Sequence, residues 1–202
     1  MRSRPLSVHG AHLFTPTVFP DSRGLFTAPY QREHFEEATG RPLPPLTQLA
    51  YSRSSAGVVR GVHFTTAPPG MATYLHCPQG AVLDIAVDVR VGSPTYGRWE
   101  AVRLDEHNRS AVYLPVGMGH AFVSLTDDTV MSYLLSGGYE PDHEKAVNVL
   151  DPELDLPLPE GLEPVLSERD RAAPDLRRLR EDGLLPDFEE CLDVEARLRG
   201  AG

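Results

Sequence analysis

Residues 81–91 read AVLDIAVDVRV, and no other stretch constrains the fold of this chain as tightly. Strand side chains alternate with a period of two, so Leu83, Ile85, Val87, Val89 and Val91 share one face while Asp84, Ala86, Asp88 and Arg90 share the other. A face carrying two aspartates and an arginine either meets water or lines a polar cavity. Between residues 46 and 135 similar β-prone runs recur, punctuated by turns rich in Gly, Pro and Asn. A turn at residues 92–94 precedes a second alternating run, AVYLPVGMGHAFVSL gives two strands joined by a Pro-Gly loop, and DTVMSYLLS gives another. Such punctuation predicts an antiparallel barrel or sandwich.

Helical signals flank this block. Residues 30–39 predict one short helix stopped at Gly40, and residues 155–163 are proline-rich and extended. The tail, residues 174–200, predicts two helices: Leu176 and Leu179 mark the first, ended by Gly183, and Asp187 with Glu190 resembles a capping box opening the second. With 202 residues, 19 prolines, 17 glycines and no internal repeat, the chain is expected to form a single domain over residues 1–202, turn-rich and large enough to bury a core.

The formal charge of -10, from 29 acidic and 19 basic residues, leaves no sequence-wide electrostatic basis for gripping a nucleic-acid backbone or an anionic membrane. A phosphate must meet a local arginine cluster instead, since Lys145 is the chain's single lysine. Cys77 and Cys191 fit no metal or redox spacing and are expected to be free thiols. Residues 1–14 lack the apolar centre of a signal peptide, and no later stretch approaches the roughly 20 apolar residues that cross a bilayer, so a cytoplasmic location is expected.

Local periodicity does not separate His63, in RGVHF, or His120, in PVGMGHAF, from ordinary packed or surface histidines. The spacing in LPVGMGHAF resembles the second signature of cupin barrels. The first signature of metal-binding cupins needs a His-x-His pair and a downstream Glu, and RGVHF supplies only His63, which argues against a catalytic metal.

Together, VFPDSRGLF, RGVHF, LDIAVDVRVGSPTYGRW, YLPVGMGHAFVSL, residues 133–144 and LSERDRAAP resemble the dTDP-4-dehydrorhamnose 3,5-epimerase family, particularly its antibiotic-deoxysugar branch. The resemblance runs in order from near the start to about residue 174. It implies a mainly β, cupin-type jelly-roll barrel, with a core at about residues 46–150, short peripheral helices and a helical C-terminal tail. It also implies a homodimer that needs no cofactor and inverts C5, C3 or both of a dTDP-linked 4-keto-6-deoxyhexose. A C4 ketone acidifies the hydrogens on C3 and C5, so a base on one face of the ring can remove a proton and an acid on the other can return one. By this resemblance His63 is the base, Asp170 the carboxylate that orients it, and Tyr133 the opposing acid. Arg23, Gln48, Arg60, Thr73, His120, Glu144 and Arg169 fall at substrate-binding positions, Arg23 often acting across the dimer.

The chain departs from the family pattern at three positions. Thr73 stands where relatives commonly carry a lysine that stabilises the enolate oxygen, and Ala28 and Ala50 replace polar binding residues. These changes suggest an altered sugar, deoxygenated or amino-substituted. They also keep open a catalytically silent sugar-nucleotide binding protein. A metal-dependent cupin enzyme ranks behind both.

Overall fold

The computed structural model describes residues 1–200. In chain order the elements are β1 (Arg2–Pro5), β2 (His12–Thr15), β3 (Val18–Asp21), β4 (Gly24–Thr27), α1 (Arg32–Thr39), β5 (Gln48–Ser54), β6 (Val59–Thr65), β7 (Thr73–Gln79), β8 (Ala81–Val87), β9 (Trp99–Asp105), β10 (Ala111–Leu114), β11 (Gly119–Ser124), β12 (Thr129–Leu135), β13 (Glu144–Ala146), α2 (Glu168–Arg171), α3 (Leu176–Glu181) and α4 (Phe188–Gly200). The strands form a six-stranded sheet in the order β1-β2-β10-β7-β12-β5, a five-stranded sheet in the order β13-β6-β11-β8-β9, and the separate hairpin β3-β4.

The two large sheets face each other. Leu75, Cys77, Val112, Leu114 and Met131 from the six-stranded sheet pack against Val82, Ala86, Val102, Leu104 and Phe122 from the five-stranded one. The ladders do not close into a barrel. Pairing stops at the edge strands β1 and β5 of one sheet and β13 and β9 of the other, so the architecture is a sandwich with open edges.

Strand β8 shows why its sequence alternates. Ile85, Val87 and Val89, the aliphatic face, point away from the space between the sheets and pack under Val147, Val149, Leu154, Leu176 and Leu179. The face bearing Asp84 and Ala86 points inward. The six-stranded sheet is covered outside in the same way: Phe14, Tyr74 and Tyr113 meet Phe35 of α1 and Cys191 and Val194 of α4. Each sheet therefore buries apolar side chains on its outer surface too, which frees inward positions for polar groups.

Helix ends follow local chemistry. Gly40 closes α1 in the left-handed conformation, φ 72°, and its N–H donates to the Glu36 carbonyl. Asp187 accepts the Glu190 N–H at 3.0 Å at the start of α4. That helix is anchored near its start by a buried ion pair. Arg90 donates from Nε and Nη2 to the two oxygens of Asp88, each at 2.8 Å, while its guanidinium stacks on Phe188. No helix among the described residues is long and apolar enough to cross a membrane.

Candidate active site

Between the sheets lies a cavity of about 570 Å³. Arg60 and His63 enter it from β6 and His120 from β11, all on the five-stranded sheet. Thr73 of β7 and Tyr133 of β12 enter from the six-stranded sheet, so His63 and Tyr133 occupy opposite walls. Glu144 of β13 and Arg169 of α2 complete the polar lining, and Met71, Leu114, Met118 and Phe122 supply apolar surface.

His63 is placed by a close approach of β6 to β11. Its Cα partner across the ladder is His120. Gly61, two residues before it, has φ +116°, and a Cβ there would sit 2.3 Å from the His120 carbonyl oxygen. Only glycine fits, because any side chain would push the strands apart exactly where both histidines project.

His63 Nε2 lies 2.6 Å from Asp170 Oδ1, and the side chains are 35% and 4% exposed. Asp170 is delivered by α2, a single turn capped by the Ser167 hydroxyl, which accepts the Asp170 N–H. Burial raises the pKa of the Asp170 carboxyl, but the His63 hydrogen bond and charge, with help from Ser167 and the Gly61 backbone, outweigh it and hold the group below the usual aspartate range. The carboxylate fixes the imidazole so that Nδ1 carries the lone pair, which is the geometry of an oriented base.

The Tyr133 hydroxyl meets Ser52 Oγ at 3.3 Å. Burial lifts its phenol above the usual tyrosine range, and the Ser52 hydrogen bond and the Arg60 charge only partly counter this. The phenol therefore stays protonated, as a donor must. Glu144 accepts from the Thr65 hydroxyl at 2.7 Å, and Arg60 Nε donates to Ser54 Oγ at 3.2 Å. Neither Arg60 nor Arg169 joins an ion pair among the described residues, so both guanidiniums stand available to an anion.

Seven of the sequence-predicted residues line this cavity: His63, Tyr133, Arg60, Thr73, His120, Glu144 and Arg169. Asp170 sits behind His63 and lines an adjoining cleft of about 450 Å³ instead. Gln48 shares the inward face of β5 with Ala50 and Ser52 but lies beyond the lining, paired with Leu135 at the end of the strand. Arg23 is not at the cavity of its own chain. It sits at the tip of the β3-β4 hairpin, 88% exposed, bonded to Asp21. Sequence reasoning singled out neither Tyr139 at the cavity mouth nor Ser52 beneath Tyr133, and it noted Asp84 only as part of a polar strand face; none of the three sits in a motif of its own. Among the described residues no group of three or more His, Cys, Asp or Glu is arranged to hold a metal.

Fold and site define a two-sheet β protein whose inter-sheet cavity sets a histidine–aspartate pair opposite a phenol, beside two guanidiniums. Comparison with known proteins narrows this. The family model described as dTDP-4-dehydrorhamnose 3,5-epimerase matches residues 5–178. A dTDP-4-dehydrorhamnose 3,5-epimerase of Streptomyces griseus is 50% identical over 98% of this chain and 100% of the relative. Among solved structures, the 4-keto-6-deoxy sugar epimerase NovW of the Streptomyces spheroides novobiocin cluster superposes with a TM-score of 0.91 at 49% identity, covering 95% of each chain. The 3'-monoepimerase ChmJ of Streptomyces bikiniensis, in complex with dTDP-quinovose, gives 0.91 at 44% identity over 96% of this chain and 98% of its own. The chain belongs to the dTDP-4-dehydrorhamnose 3,5-epimerase family.

Proposed function

We propose that the chain is a cofactor-independent epimerase that inverts C3, C5 or both of a dTDP-linked 4-keto-6-deoxyhexose during the biosynthesis of an antibiotic deoxysugar. The observation that carries this reading is the placement of His63, oriented by Asp170, across one cavity from the protonated phenol of Tyr133. His63 Nδ1 takes the proton from the carbon next to the C4 ketone. The C–H electron pair becomes the C=C bond of an enolate, and the carbonyl π pair moves to O4. Tyr133 then donates its O–H proton to the opposite face of that carbon as the ketone re-forms. The protonated His63 and the tyrosinate reset by proton exchange with water.

Arg60 and Arg169 bind the diphosphate, and Tyr139, at the mouth, offers an aromatic face to the base. The domain is a single jelly roll of cupin type. Its working form is a homodimer in which the β3-β4 hairpin, with Phe19, Leu25 and Phe26 exposed, carries Arg23 to the partner's cavity.

The test is proton NMR in heavy water with dTDP-4-keto-6-deoxyglucose and its 2-deoxy analogue. Deuterium enters at C3 or C5 without added metal or nicotinamide; His63→Ala abolishes entry, and Tyr133→Phe abolishes formation of the epimer. Binding of dTDP with no ring exchange on any 4-keto sugar overturns the reading in favour of a silent binding protein, which Thr73 would then explain.

A further inference from the structure

The catalytic groups sit on strands and on α2, yet a helix with no part in the chemistry also reaches the cavity. On the outer surface of the six-stranded sheet, α4 presses on two loops, residues 66–72 between β6 and β7 and residues 115–118 between β10 and β11. Each loop meets the helix at a glycine in the left-handed region. A Cβ on Gly70, φ +70°, would sit 2.9 Å from Val194 Cγ1 and 2.6 Å from Val116 Cγ1 of the other loop. One on Gly117, φ +77°, would sit 2.3 Å from Cys191 Sγ. Helix and loops therefore touch with no side chain between them. The next residue in each loop, Met71 and Met118, lines the cavity beside Leu114 and Pro115.

The helix is pinned at both ends. At its start the Phe188 N–H donates to the Val91 carbonyl at 2.9 Å, and Arg90 stacks on the Phe188 ring. Toward its end Glu195, 1% exposed, accepts the Tyr113 hydroxyl at 2.5 Å and a further hydrogen bond from Arg199. Tyr113 immediately precedes Leu114 on β10. A methionine side chain is long and adaptable, so the place where its backbone is held decides how far it reaches into a cavity.

A 4-keto-6-deoxyhexose carries one apolar substituent, the C6 methyl on C5, and the wall built by the two methionines, Leu114 and Pro115 suits it. Returning a proton to the opposite face of C5 swings that methyl to the other side of the ring. Inversion at C3 moves a hydroxyl and leaves the methyl in place. A wall that is packed from behind therefore opposes the first inversion more than the second, because a close-packed backing leaves no void to retreat into. We propose that α4 sets the balance between the two inversions, with Cys191 and Val194 as positioning residues that act through Gly117 and Gly70 to hold Met118 and Met71 against the C6 methyl. The inference rests on the epimerase reading.

The test measures initial rates of inversion at C3 and C5 by proton NMR, with dTDP-4-keto-6-deoxyglucose and its 2-deoxy analogue as substrates. Wild type is compared with Val194→Ala, Val194→Thr, Cys191→Ala, Met71→Ala and Val194→Ala/Met71→Ala, and dTDP affinity and melting temperature are recorded for each. Val194→Ala and Cys191→Ala are expected to raise the C5-to-C3 rate ratio about fivefold or more, with dTDP affinity within about threefold of wild type. Val194→Thr keeps the shape but buries a hydroxyl, so it lowers the melting temperature while the ratio stays within about twofold. Met71→Ala raises the ratio by itself, and adding Val194→Ala raises it by less than about a further twofold, since the two act in series. A ratio within about twofold of wild type in both Val194→Ala and Cys191→Ala overturns the inference and leaves the epimerase reading standing. So does a shift in Val194→Thr equal to that in Val194→Ala, or a wild type that inverts C5 alone. A wild type that inverts neither carbon overturns the epimerase reading itself.

Discussion

Replacing Asp170 by Asn tests the oriented base without disturbing the cavity. The amide has the shape of the carboxylate, and Ser167 caps the backbone N–H of residue 170, not its side chain, so α2 should keep its turn. Two losses follow. An imidazolium and a carboxylate about 4 Å apart at an effective dielectric of about 20 attract by about 4 kcal/mol. At 1.36 kcal/mol per factor of ten, removing that attraction slows proton abstraction about 1,000-fold. The amide also has a donor to offer Nε2, which moves the ring proton to Nδ1 and takes the lone pair out of the cavity; loss of a base's tautomer costs about 10,000-fold where a histidine is held this way. Ring deuteration in Asp170→Asn is therefore expected to fall by about 1,000 to 10,000-fold. Binding of dTDP should change by less than about threefold, because Asp170 stands behind His63 and outside the main cavity. Since the Asp170 carboxyl is held below the usual aspartate range, the ratio of wild-type to variant rates should stay constant down to about pH 5. A fall of less than about tenfold would refute the assignment of Asp170 as the group that makes His63 a base.

Three further outcomes follow from the packing. Arg90→Met leaves Asp88 buried without its guanidinium and should cost about 3–5 kcal/mol in urea unfolding; a loss below about 1 kcal/mol contradicts the anchoring role of the pair. Gly61→Ala sets a methyl against the His120 carbonyl at a positive φ, so it should lower the melting temperature and ring exchange together, whereas wild-type exchange would show that β6 and β11 need not approach so closely. Burial pushes the Asp105 carboxyl up, but the Asn108 and His107 N–H groups and Arg103 outweigh it and hold the group below its unfolded value of about 3.9. Its stabilisation is complete above that value and is lost as pH falls through the lower folded one, so the stability gap between wild type and Asp105→Asn should narrow from pH 5 to about pH 3; a constant gap refutes the linkage.

The central strands were legible because β8 to β12 carry period-two alternation bounded by Gly and Pro. Helix ends were legible at Gly40, Gly183 and Asp187, where one residue decides the geometry. The four N-terminal strands were not. Each has four residues, Pro5 and Pro20 sit within them, and β1 joins the sheet only through β2 and then β10, about 100 residues away in sequence. No local pattern encodes such pairing. The site divides in the same way. His63 and Tyr133 were nominated by resemblance, since neither differs locally from an ordinary strand residue, and the 2.6 Å contact of His63 with Asp170 spans 107 residues. The two aspartates of β8 were the one local trace of a polar interior, and Asp84 turns out to lie under His120.

The sandwich and the chemistry explain each other. Inverting a carbon requires a base and an acid on opposite sides of a flattened enolate, and a single sheet cannot provide this, because its inward residues all project from one side. Two facing sheets can: β6 brings His63 from one wall and β12 brings Tyr133 from the other. The cost is that polar groups such as Asp84 and His120 occupy positions a sandwich normally fills with aliphatic side chains. The chain recovers that apolar burial on the outer surfaces, under the 147–185 segment on one side and under α1 and α4 on the other. The aliphatic face of β8 is thus turned outward for a chemical reason. A sequence that pointed Ile85 and Val87 inward would line that cavity wall with hydrocarbon in place of the Asp84–His120 pair.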